Sequence, residues 1–294
     1  MIKLLLAPAM LLALTQGVTT FVREEAGAGC TVPDQSSEFV AFWDFEEASN
    51  STRVASGGSC SSGSDCDLAN QNTMLLDAVN FVEQSGSAAS LDADNDALTC
   101  ANATCDELTG LTGSVTWGVY AMTPTLQNQD VFDNLDGSNG GFEMKWRTNV
   151  FECRIGDGVD TAAATSAGSS LSSDSTFYHL ACVHDDVGNT IQAYVDGAAS
   201  GSSASQDDMA ANAADTFQVS QTGSLGFDGS IDAPWVYSGV LSAAEVCYLC
   251  SAGGPANDAG MTCSGGSFVG LGLNASQCGS CSLAGLDPED PITP

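Results

Sequence analysis

The chain of 294 residues sets 37 acidic against six basic side chains, for a formal charge of −31, and 43% of its residues are apolar. Such a charge repels phosphate backbones and anionic headgroups, which sets aside nucleic acid and anionic membranes as partners. The apolar fraction supports the core of one medium domain, and the wealth of Gly, Ser, Ala, Thr and Asp favours strands and turns over long surface helices.

In chain order, residues 1–17 (MIKLLLAPAMLLALTQG) place one lysine before an apolar run from Leu4 to Leu14. That run is too short for a membrane span of roughly 20 residues and reads as a secretory signal peptide. A polar leader without periodicity follows over residues 18–37. Twelve cysteines lie beyond the signal and suit an oxidised protein that is secreted or held at the cell surface. Cys60 with Cys66, and Cys100 with Cys105, are near enough in sequence to close small loops. Cys153 and Cys182 both lie on strand-like segments and could bridge neighbouring strands.

Residues 38–250 read as a succession of strands. In FVAFWDFEE, Ala41, Trp43 and Phe45 share one face, with Phe42, Asp44 and Glu46 opposite. SVTWGVYAM sets Val115, Trp117, Val119 and Ala121 against Thr116, Gly118 and Tyr120. GFEMKWRT sets Phe142, Met144 and Trp146 against Glu143, Lys145 and Arg147, and FECRIGDG returns from it as a hairpin. FYHLACVH turns at DDVGN into TIQAYV, whose Ile191, Ala193 and Val195 share a face, and Asp196–Gly197 is a strong hairpin signal. The clearest helix signal is Ser242 with Glu245, a capping box before Val246. Short strands with Gly-rich turns and little helix give an all-β fold, a two-sheet antiparallel sandwich or jelly roll. Residues 251–294, rich in Cys, Gly and Ser with an acidic, Pro-containing end, form a small cysteine-rich appendage.

Several residues carry candidate chemistry. Asp92, Asp94 and Asp96 alternate in one short loop and could aim at a calcium ion, although the same residues also suit a plain turn. Lys145 and Arg147 are conspicuous because cations are scarce, and either pair with the acidic surface or grip an acidic sugar or carboxylate. Tyr120 faces outward and could stack on a sugar ring or simply pack. His179 and His184 are five apart on one strand, so they face opposite ways and do not ligate one metal. The two Cys-x-x-Cys pairs, Cys247/Cys250 and Cys278/Cys281, suit disulfides better than zinc in an exported chain.

Together FVAFWDFEE, GSVTWGVYAM, GGFEMKWRTNVFECRIGDG, FYHLACVHDDVGNTIQAYVDG and FDGSID…VYSGVLSAAEV, in that order, resemble the laminin G-like jelly rolls of the concanavalin A-like lectin and glucanase superfamily. The resemblance implies a jelly roll over residues 38–250 and a structural His179 packed beside aromatics. The chain carries Ala233 and Trp235 where family members often carry an acidic and a basic residue. It also lacks the Glu-x-Asp-x-x-Glu strand of the family's glucanases. The expected function is therefore a non-catalytic extracellular module that binds glycan or a surface protein, assisted by calcium. The alternatives are a self-assembling structural protein of a matrix, envelope or filament, and a glycan-active hydrolase.

Overall fold

The computed structural model describes residues 39–43, 45, 52, 55, 60, 66–71, 75–77, 88–92, 96–100, 104–135, 139–167, 171–173, 176–201, 208–212, 216–221, 224–252, 262–264, 267–269 and 278. The signal peptide (1–17), the leader (18–37), Asp44, Glu46, Asp94 and Cys281 lie outside them. In chain order the strands are β1 (Phe39–Phe42), β2 (Ala69–Gln71), β3 (Leu75–Asp77), β4 (Ala88–Leu91), β5 (Ala97–Cys100), β6 (Val115–Met122), β7 (Asn128–Leu135), β8 (Gly140–Arg147) and β9 (Val150–Asp157). They continue with β10 (Thr161–Thr165), β11 (Tyr178–Asp185), β12 (Thr190–Val195), β13 (Ala198–Ala199), β14 (Phe217–Val219), β15 (Gly229–Tyr237), β16 (Thr262–Ser264) and β17 (Ser267–Val269). Two helices, α1 (Asp106–Thr109) and α2 (Ala243–Ala252), complete the set.

The strands form a two-layer antiparallel sandwich. Sheet I has the order β13-β12-β11-β6-β15-β4-β3, with β1 also on β15; sheet II has the order β10-β9-β8-β7-β14-β5-β2. The tail adds a separate β16–β17 hairpin. Between the layers lies one core that takes Trp43, Trp117, Val119, Phe142, Met144, Trp146, Cys182, Ile191 and Val236 from both sheets. Trp117 on β6 meets Phe142 on β8 at 5.0 Å, and Trp146 meets Tyr178 on β11 at 5.9 Å, so aromatic pairs join the layers. Each such indole removes on the order of 200 Å² of mostly apolar surface from water, worth about 5 kcal/mol before the entropy of ordering it.

The inward residues are those that alternation marks on β6, β8 and β12. Where alternation slips, a bulge accounts for it. Register shifts between Asp130 and Phe132 on β7, so that Val131 and Phe132 both enter the core while Asp130 and Asp133 share the outer face. A second shift separates Asp232 from Trp235 on β15.

Disulfides join Cys60–Cys66, Cys100–Cys105, Cys153–Cys182 and Cys250–Cys278. Cys153 and Cys182 were expected to bridge neighbouring strands, but β9 and β11 belong to opposite sheets. Both cysteines point inward, so the bond crosses the core and ties layer to layer. Closing that loop of about 30 residues restricts the unfolded chain by about 3 to 4 kcal/mol. Cys250–Cys278 runs from one Cys-x-x-Cys pair to the other, anchoring the tail to α2.

Candidate functional site

The outer faces of the two sheets differ in kind. On sheet I, α2 lies across the strands. Val246, Tyr248 and Leu249 of the helix pack on Phe39, Phe42, Ala181, Val183, Tyr194, Trp235 and Tyr237. The capping box forms as the sequence implied: Ser242 N–H donates to Glu245 Oε2 at 2.6 Å, and Glu245 N–H to Ser242 Oγ at 3.3 Å. Two glycines permit the close fit. A Cβ on Gly118 would fall 2.3 Å from the Trp235 ring, and one on Gly197, at φ +74°, would fall 3.0 Å from Cys247 Cα.

Tyr120 does point outward from its sheet, but α2 covers it, correcting the expectation of a ring open to a sugar. Its hydroxyl donates to the carbonyls of Leu249, at 3.3 Å, and Cys250. Its ring lies 5.0 Å from His179, which in turn stacks 6.3 Å from Trp235. His179 is packed among these aromatics, and burial pushes its pKa down to about 3. His184 lies on the opposite face, with Nδ1 3.0 Å from the Gly113 carbonyl oxygen, and burial lowers its pKa too. Ala233 and Trp235 also belong to this covered face.

Sheet II carries charge on its outer face. Arg147 Nη2 donates to Glu152 Oε1 at 3.1 Å, and Arg154 Nε lies 3.6 Å from that same oxygen. Arg154 Nη1 reaches Glu143 Oε2 at 2.7 Å, and its Nη2 reaches Thr161 at 3.1 Å. Lys145 Nζ contacts Glu143 and lies 2.7 Å from Asp130 Oδ1. The result is one ladder of alternating sign: Arg147, Glu152, Arg154, Glu143, Lys145, Asp130. Its three cations are all the basic residues among those described. Asp133, beside Glu143, accepts from Gln221 at 2.7 Å.

The ladder is graded from wet to dry. Arg147, Arg154 and Glu152 are partly exposed, whereas Asp130, Asp133, Glu143 and Lys145 are buried. Of the two readings of Lys145 and Arg147, pairing with acidic neighbours is the one seen: Lys145 is held down by two carboxylates, and Arg147, paired with Glu152, is the one of the two that reaches water. Burial first, and then the nearby Glu143 charge, raise the carboxyls of Asp130 and Asp133 to about 6 each. For Asp130 these effects outweigh the attraction of Lys145.

The acidic loop of Asp92 and Asp96 passes between β4 of sheet I and β5 of sheet II. Asp96 Oδ2 accepts the Asp92 N–H at 3.2 Å, and burial raises the Asp96 pKa. Among the described residues, the cluster with ligand-atom spacing suited to a metal ion is Cys60, Cys66 and Glu107. Because Cys60 and Cys66 are joined as a disulfide, they offer no thiolate.

Sequence reasoning found Lys145 and Arg147 but missed Glu152 and Arg154. The signal was present, since both alternate outward along FECRIGDG opposite Lys145 and Glu143.

A family model of the concanavalin A-like lectin/glucanases superfamily, of laminin G type, matches residues 92–247. No curated protein matches the chain's sequence. Among solved structures, domain 4 of AbnA, an extracellular GH43 arabinanase from Geobacillus stearothermophilus in complex with arabinotriose, aligns at TM-score 0.54 and 15% identity, over 73% of this chain and 99% of that one. The receptor-binding domain of botulinum neurotoxin C/D mosaic serotype aligns at 0.54 and 12%, over 72% of this chain and 51% of that one. The binding domain of Paraclostridial Mosquitocidal Protein 1 aligns at 0.54 and 12%, over 73% and 52%. The chain thus spans about half the length of these toxin domains, and at such identities the likeness is one of fold. With the sandwich order and the sequence match in agreement over more than half its length, the chain belongs to the concanavalin A-like lectin/glucanases superfamily.

Proposed function

We propose that the chain is a secreted, non-catalytic recognition module that binds glycan on the outer face of sheet II. The observation that carries this reading is the wet end of the ladder, Arg147, Glu152 and Arg154, set on the one sheet whose outer face is not sealed by α2. Planar guanidinium and carboxylate groups, oriented in advance by each other, match the paired donors and acceptors of vicinal sugar hydroxyls. Because each cation already faces a carboxylate, the ladder suits a neutral glycan better than an acidic one. The arabinanase domain solved with arabinotriose and the receptor-binding toxin domains are in keeping with this use of the fold.

Glycan-array screening followed by calorimetry tests the reading. An Arg154→Ala, Glu152→Ala double variant is expected to lose at least about tenfold in affinity, or about 1.4 kcal/mol. Undiminished binding moves the ligand off this face, and sugar release from a polysaccharide overturns the non-catalytic reading. We carry calcium as the proposed cofactor of the loop holding Asp92, Asp94 and Asp96. Thermal unfolding in calcium against chelator decides it, since an unchanged midpoint removes the ion.

A further inference from the structure

The dry end of the ladder holds three buried ionisable groups. Asp130 on β7 and Lys145 on β8 stand directly opposite each other. Lys145 Nζ lies 2.7 Å from Asp130 Oδ1 and also contacts Glu143, two residues earlier on the same face. Their residue exposures are 0%, 6% and 3% for Asp130, Lys145 and Glu143, so solvent does not separate them. The second oxygen of Asp130, Oδ2, is buried and has no hydrogen-bond partner among the described residues.

An ion pair made for stability has no need of this enclosure, because burying charges costs about as much as their attraction returns. An amine, a carboxyl and a proton carrier held in contact away from water are the components of a condensation. We propose that Lys145 and Asp130 join spontaneously in an intramolecular isopeptide bond, with Glu143 as the proton carrier.

The step balances without any added reagent. One proton of the Lys145 ammonium passes to Asp130, leaving a neutral amine and a neutral carboxylic acid. Nζ attacks Cγ. Glu143 takes a second proton from the nitrogen and delivers it to the departing hydroxyl. The Nζ–Cγ bond forms, one Cγ–O bond breaks, water leaves, and Glu143 ends ionised as it began. Proximity replaces the entropy of bringing amine and acid together, and exclusion of water slows hydrolysis of the product. Independently, the raised pKa of Asp130 favours the neutral acid that the attack requires.

The link would close the β7–β8 hairpin covalently beside the Cys153–Cys182 bond on β9, hardening sheet II beneath the exposed Arg147 and Arg154. It does not depend on the glycan reading, because the bond forms in the free chain.

Intact-mass measurement of the purified full chain tests the proposal, with disulfides and any signal cleavage accounted for. The wild type is expected to be lighter by one water. Reduction and digestion should yield a branched peptide joining the segments around Asp130 and Lys145. Glu143→Gln and Lys145→Arg should each restore the full mass and lose the branch. A wild type of full mass, or a missing water mapped to other residues, overturns the bond. A branch that persists in Glu143→Gln overturns the role of Glu143. The wild-type map decides the bond even if a variant fails to fold.

Discussion

The two sheets are built from the same alternating strands, yet their outer faces have opposite fates. Sheet I turns out Phe39, Tyr120, His179, Trp235 and Tyr237, and α2 closes over them as part of a second apolar core. Sheet II turns out Arg147, Glu152, Arg154 and Glu143, and these pair with one another while Arg147 and Arg154 stay in contact with water. An outward-facing residue is therefore not the same thing as a surface residue. On sheet I a substitution is expected to perturb stability; on sheet II, under the proposed glycan reading, a substitution at the wet end is expected to perturb recognition.

The sharpest way to break that contrast is Trp235→Ala. The indole is fully buried beneath α2, 5.8 Å from Phe39, in a space that Gly118 leaves open. Its loss is expected to cost about 3 to 5 kcal/mol by urea unfolding, with glycan affinity unchanged in whatever remains folded. A cost below about 1 kcal/mol would mean that the helix and its aromatic bed are not an integral core.

Next in size is removal of the tail anchor. Cys250→Ser with Cys278→Ser opens a bond of sequence separation 28 that holds the tail to α2. A loss of about 2 to 4 kcal/mol is expected, again without effect on ligand binding at sheet II. If binding falls as well, tail and sheet II are coupled and the two faces are not independent.

Much of this architecture was legible in the sequence because period-two alternation is a direct image of the pleat. Trp117, Trp146, Ile191 and Val195 could be assigned inward from spacing alone, and they line the inter-sheet core. His179 and His184 separated onto opposite faces for the same reason. Alternation says which side of a sheet a residue occupies, however, and not what lies above it. Nothing local to SVTWGVYAM tells that a helix more than 120 residues later will accept the Tyr120 hydroxyl. The ladder was half visible: Lys145 and Arg147 share one strand, but the pairing that sets Asp130 opposite Lys145, and the β7 bulge that brings Asp133 to the same face as Asp130, are not marked in either segment. The Cys153–Cys182 bond was found as a pair and misplaced as a geometry, since a strand's partner sheet is not encoded in its own pattern.

Acid acts in opposite directions on His179 beneath α2 and on Asp133 of sheet II. His179, under α2, is pushed down to about 3 from an ordinary 6.5. Below pH 6.5 the unfolded chain takes a proton that the folded chain refuses, so stability falls with pH by up to about 1.4 kcal/mol per unit. Asp133 on sheet II is pushed up to about 6 from 3.8. Between pH 6 and 4 the folded chain takes that proton first, so stability rises as pH falls, at a similar slope. Asp196, beside His179, is also raised to about 6 by burial and adds to the second trend. Relative to wild type, His179→Leu should gain stability at pH 5 more than at pH 7, whereas an advantage of Asp133→Asn at pH 7 should vanish by pH 5. Urea unfolding at the two pH values reads both. Asp133 is the better probe than Asp130, whose carboxyl would not titrate once linked to Lys145.

The smallest changes make the cleanest comparison, because each leaves the fold in place. Ser242→Ala removes the hydroxyl that accepts the Glu245 N–H at the start of α2, and the return bond from Glu245 to the Ser242 N–H loses its counterpart. An N-cap of this kind is worth about 1 kcal/mol. A ten-residue helix is too short to stand on propensity alone, so that loss should appear in the stability of the whole domain and not merely in fraying of the helix end. Arg147→Ala removes the outermost rung of the ladder, a partly exposed pair whose share of stability is below about 1 kcal/mol. Its effect should appear in ligand affinity instead, since Glu152 then keeps Arg154 but loses the group that orients its outer side. Unfolding midpoints and binding isotherms on the two variants should therefore exchange roles: one moves the midpoint and spares the isotherm, the other moves the isotherm and spares the midpoint. A midpoint shift with intact binding in Arg147→Ala would make the ladder a structural brace rather than a contact surface.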